Sequence, residues 1–119
     1  MLLYGDYHTH TIYSHGVGDI IDNARIAKQK GLKQLAITDH GFDHKLFGVD
    51  RNKIPEMKKK IEMAEKETGL DIFLGVEANF KSLDGTIDVL QEDLQYLEIL
   101  NLGFHRFVKT NLSNKFSLF

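Results

Sequence analysis

Three of the six histidines in this 119-residue chain fall within "YGDYHTHTIYSHG", Tyr4 to Gly16, as His8, His10 and His15. On an extended strand, side chains two positions apart share a face, which sets the His8 and His10 imidazoles about 7 Å apart. Two neutral imidazoles converging in this way suit one divalent metal ion. The competing reading is ordinary: a histidine at a strand end caps a helix or hydrogen-bonds at the surface. Glu77 carries a sharper argument. "IFLGVEANF" is apolar up to the carboxylate, and a buried carboxylate without a partner is costly. A metal supplies that partner, as would a Lys or Arg from a loop. With no cysteine in the chain, a transition metal has only His, Asp and Glu to bind.

The elements that must position these residues follow from two alternating periodicities. Strands are expected over 2–8, 32–40, 70–80 and 97–105. Between the first two, Asp19 caps a helix that puts Ile20, Ile21, Ala24 and Ala27 on one face and stops at Gly31. A polar loop, 41–52, precedes a second helix with Ile54, Met57, Ile61 and Ala64 on one face, Pro55 in its first turn and Gly69 as its stop. A shorter amphipathic segment, 89–96, leads into the fourth strand. A β-α-β-α-β-α-β order implies an α/β fold of parallel β/α repeats with right-handed crossovers. In such folds ligands gather at the C-terminal ends of the strands. Those ends carry His8 and His10, then His40, Glu77 and His105, with His15 in the first loop. Separate dull explanations for all of them are improbable, so a shared metal site is expected. His44, in the polar loop, is read as an ordinary hydrogen-bonded residue outside that cluster. Asp6 and Asp39 either orient imidazoles or cap loops. Gly5, Gly16, Gly41, Gly75 and Gly103 reflect either crowding at the rim or turn chemistry.

Length and composition fit one domain. A net charge of −2 gives no electrostatic footprint for nucleic acid or an anionic membrane. The start of the chain has no basic, apolar signal peptide, and no apolar run reaches the roughly 18 residues of a membrane span. A cytoplasmic protein is expected, and "NLS" at 111–113 is read as a chance glycosylation match.

In order and spacing, "DYHTHTIYSHG", "AITDHG", "GVEANFKSLDGTID" and "GFH" resemble the motifs of the polymerase and histidinol phosphatase (PHP) family. The likeness is greatest to its stand-alone bacterial phosphatases, including the histidinol-phosphatase type, and covers about the first 105 residues. The resemblance implies a distorted (β/α)7 barrel, here its first half, around up to three divalent metals, usually zinc, manganese or iron. It implies hydrolysis of a phosphorylated small molecule. His8 and His10 would hold one metal, with Glu77 bridging it to a second, and these three form the expected catalytic set. His105 would join Glu77 on the second metal, and His15 and His40 would hold the third.

The family's later histidine, and the Asp and His near its end, have no counterpart before Phe119. A single PHP domain truncated at its C-terminus is therefore expected, with "NLSNKFSLF" as a helix begun and cut short. Lys81 and Arg106 are candidates for holding the substrate anion, or are solvated surface charges. A phosphomonoesterase is expected rather than a nuclease, since no basic surface for a polynucleotide is visible. The competing class is a non-catalytic metal-binding or interaction module that keeps the half-fold. An open edge on the fourth strand, with Phe104, Phe107, Phe116, Leu118 and Phe119 near it, predicts self-association or the need for a missing C-terminal half.

Overall fold

Asp19 starts the first helix by a reciprocal cap. Its carboxylate accepts the Ile20 N–H while the Asp22 carboxylate accepts the Asp19 N–H. The helix, α1 (Ile20–Gln29), buries Ile20, Ala24 and Ala27, and Gly31 turns away with φ 84°. The second helix, α2 (Ile54–Thr68), carries Pro55 in its first turn, where the missing N–H is not needed. It buries Ile54, Met57, Ile61, Ala64 and Thr68, and ends on Gly69 at φ 76°, a left-handed conformation that glycine adopts without strain.

The computed structural model describes residues 3–110, so the expected helix at 111–119, and Phe116, Leu118 and Phe119 with it, lie outside the described residues. The strands are β1 (Gly5–Thr9), β2 (Gln34–His40), β3 (Asp71–Asn79) and β4 (Ile99–Gly103). They form one sheet in the order β1-β2-β3-β4, each pair parallel. β2 and β3 are buried along most of their length, as a run covered on both faces must be.

The third connection departs from expectation. Instead of an α-helix it holds a 3-10 segment, Gln91–Tyr96. Phe80 first pairs back with Ile87 across a turn, which uses up the chain that a helix would have needed.

Period two divides the sheet. Leu35 and Ile37 of β2, with Ile72, Leu74 and Val76 of β3, pack against α1 and α2 to form the core. Each such side chain, fully buried, contributes about 1.5–3 kcal/mol. The opposite face carries His40 and Glu77, directly paired in register, then Asn79.

The sheet also curls. Asn101 of β4 donates its side-chain amide to the Tyr7 carbonyl of β1 at 2.9 Å. In a flat sheet those two strands would lie three spacings apart, about 14 Å. The four strands thus form a half-barrel. Among the described residues, no helix is long and apolar enough to cross a membrane.

Candidate metal centre

The site begins with a loop held by one buried carboxylate. Asp39, on β2, is fully buried and accepts the Thr11 N–H, the Thr11 hydroxyl and the Ser14 hydroxyl, each at 2.6 Å. Asp39 thus fixes the loop that carries His10 and His15, and its Ser14 partner lies 3.4 Å from His10 Nδ1, linking the carboxylate to that imidazole. Asp6 is simpler, accepting the His8 N–H at 3.1 Å. So held, the loop lays His15 on His10 and against His40, with ring centroids 4.6 and 4.8 Å apart.

His40 ends β2 beside Glu77 on β3, and His105 folds back over the end of β4 to place its ring 4.6 Å from that of His40. The six residues singled out from the sequence therefore meet at one rim. Three overlapping sets have ligand atoms within 4.8 Å of one another: His10, His15 and His40; His8, His10 and Glu77; and His40, Glu77 and His105. Glu77, His10 and His40 each belong to two sets.

The donor chemistry fits divalent metal ions. Glu77 Oε2 contacts His8 Nε2 and lies 3.6 Å from His10 Nε2, while Oε1 contacts His105 Nε2 and lies 3.7 Å from His40 Nδ1. Among the described residues, its ion-pair partners are all imidazoles and include no Lys or Arg. Among the described residues, Glu77 Oε2 and His40 Nδ1 are buried with ion-pair contacts but no hydrogen-bond partner, a costly arrangement that cations between such atoms would relieve.

Electrostatics point the same way. Burial first, then the nearby His10 and His105, push the His40 imidazole down from 6.5 to about 4. Burial also lowers that of His10, against the opposing pull of Glu77. Both rings are therefore neutral near pH 7, the form that ligates metal. Burial pushes the Glu77 carboxyl up, but His8, His105, His40 and His10 together outweigh it and hold the group below its ordinary value.

The remaining candidates lie outside the three ligand sets. His44 is not remote: it is buried, with its ring 5.1 Å from that of His40 and 6.1 Å from that of His105. The cause is the loop after β2, which folds back so that the Gly48 N–H reaches the His44 carbonyl and the Val49 N–H the His40 carbonyl. His44 stays out of all three ligand sets, and its Nδ1 accepts the Phe47 N–H at 3.1 Å. Lys81 forms an ion pair with Asp43 at 2.5 Å, so an anion would compete with that carboxylate for its charge. Arg106 is exposed in the bend after His105.

Two buried residues escaped the sequence reading. Asn79 meets His105 Nδ1 at 2.6 Å, and Asp88 holds Asn79 from behind. The only sequence signal was a polar residue two positions after Glu77, at the end of a mostly apolar strand.

The PHP domain family profile matches residues 6–114. A probable phosphatase of Shewanella sp. (strain W3-18-1) is 38% identical over 106 residues, covering 84% of this chain and 39% of that protein. A probable phosphatase of Shewanella sediminis is 40% identical over 106 residues, covering 84% and 39%. One of Shewanella oneidensis is 38% identical, covering 84% and 38%. The chain spans about two-fifths of the length of these curated relatives.

Proposed function

Because this chain belongs to the PHP domain family, we propose that it carries the metal-binding half of a phosphoesterase centre that hydrolyses a phosphorylated small molecule, in the manner of a histidinol phosphatase. The observation that carries this reading is Glu77, a buried carboxylate ringed by His8, His10, His40 and His105 with one oxygen unsatisfied. His8, His10 and Glu77 would hold one ion, His40, Glu77 and His105 a second, and His10, His15 and His40 a third. Zinc, manganese and iron all suit this donor set. Such ions supply Lewis-acid polarisation of a phosphoryl oxygen and a water nucleophile available near neutral pH.

Two exposures support a direction of approach for substrate. His8 is the open side, its side chain 57% exposed, whereas His40 forms the buried back wall at 10%. A phosphate therefore approaches past His8. Without cations it would meet the Glu77 carboxylate and be repelled, so this half-site suits an anion only when loaded. Asp39 keeps the His10 and His15 rings in place as substrate enters.

The test is elemental analysis of the purified chain together with phosphomonoester turnover in added Mn2+ or Zn2+, compared with His8→Ala. Metal-dependent turnover that His8→Ala abolishes supports the proposal. Bound metal without turnover would assign the chain to a non-catalytic metal-binding module. Absence of metal affinity would overturn both readings.

A further inference from the structure

Behind the ligand rim runs a chain of three side chains whose hydrogen bonds permit only one arrangement of donors and acceptors. Asp88, 2% exposed, accepts the Asn79 N–H at 2.8 Å, the Asn79 side-chain amide at 2.5 Å and the Asp43 N–H at 3.0 Å. All three partners are donors, a pattern that suits an acceptor-only carboxylate. The site is shaped for it: a β-carbon on Gly41 would stand 2.6 Å from both carboxylate oxygens. With its Nδ2 committed to Asp88, the fully buried Asn79 must turn Oδ1 toward His105 Nδ1, 2.6 Å away. Inverting the amide would set Oδ1 against a carboxylate oxygen, two buried acceptors face to face. An oxygen acceptor at that distance requires the proton on Nδ1.

We propose that Asn79, oriented by Asp88, is a positioning residue that holds His105 in its Nδ1-protonated tautomer and so aims a bare Nε2 at the Glu77 carboxylate. Nε2 contacts Glu77 Oε1, and a lone pair against a carboxylate oxygen calls for a cation between them. The consequence for metal affinity rests on the function proposed above; the tautomer itself does not.

Histidine-ring 15N spectroscopy of the metal-free protein tests the tautomer directly, at a pH well above the ordinary imidazole range. The wild type is expected to show His105 protonated on Nδ1. Asn79→Leu, of similar shape, should release the ring to a tautomer mixture and weaken Zn2+ binding about 10–100-fold, the usual cost of losing a partner behind a ligand. Asp88→Ala is the second variant. It removes the acceptor that orients the amide, so His105 should again show a tautomer mixture although its Asn79 neighbour is retained, a change that a merely structural role would not produce. Nε2 protonation in the wild type, or an unchanged tautomer in every folded variant, would overturn the proposal. A wild type that binds no Zn2+ would instead defeat the metal reading, with the ring spectrum still deciding the role of Asn79.

Discussion

A β-carbon on Gly103 would stand 2.5 Å from Cε1 of His105 and 3.3 Å from Oε1 of Glu77. Gly103 is needed for space and not for an unusual backbone, since its φ is not positive. The strand end has to be bare for the ring to fold back over it. Gly103→Ala is therefore expected to keep the fold, displace His105 and lower Zn2+ affinity about 10-fold or more. Calorimetric titration measures this, and unchanged affinity would mean that the ring has room to spare.

Glu77→Gln removes the one carboxylate common to two of the ligand sets. A neutral carboxamide is a poor bridge between cations, so metal stoichiometry should drop and metal-dependent turnover should largely vanish. Circular dichroism should remain that of the wild type. Full metal content in the variant would return Glu77 to a purely structural role.

The metal-free protein should lose stability on mild acidification. The His40 ring takes up a proton at 6.5 when unfolded but only at about 4 when folded, and the His10 ring is lowered as well. The unfolded state thus binds more protons below pH 6.5. The contribution is complete above that value and is lost as pH falls toward about 4. For His40 alone this amounts to on the order of 3 kcal/mol. Urea unfolding across this range should show a falling midpoint, whereas a flat profile down to pH 4 would contradict the buried neutral rings.

The positions legible in the sequence were those governed by short-range periodicity. His8 and His10 stood out because period two pairs them, and Glu77 because an apolar run led to it. The helix ends at Asp19, Gly31 and Gly69 were equally local. What escaped depended on contacts between loops. His44 enters the rim only because the loop after β2 doubles back, and Lys81 meets Asp43 only because two loops touch. Asp88 reaches Asn79 across a turn whose shape no periodicity specifies. The β/α alternation implied a third helix, although residues 89–96 themselves read only as a short amphipathic turn, and the Phe80–Ile87 pairing left room for only a 3-10 segment.

We expect this chain to self-associate. β4 lies at one end of the described sheet, and Leu100 and Leu102 on it and Phe104 just after it are 38%, 53% and 60% exposed. An open edge with apolar side chains pairs readily with another chain. Sedimentation at micromolar concentration should show dimers or larger species, and Leu102→Lys should shift them toward monomer. A wild type that stays monomeric would remove the argument.

The order β1-β2-β3-β4 matches the order of the chain, so every strand pairs with the one made just before it. Each pairing closes a single crossover, and the entropy of closing loops of such length grows slowly. Folding can therefore advance one repeat at a time. The Asn101–Tyr7 hydrogen bond is the exception: it joins residues 94 apart and has no partner until all four strands stand. Long-range contacts of this kind form late. Asn101→Ala should accordingly leave the refolding rate nearly unchanged and hasten unfolding, as expected for an interaction absent from the transition state. The bond that spans the curled half-barrel is thus expected to act on timing, setting how long the finished fold lasts rather than how quickly it assembles.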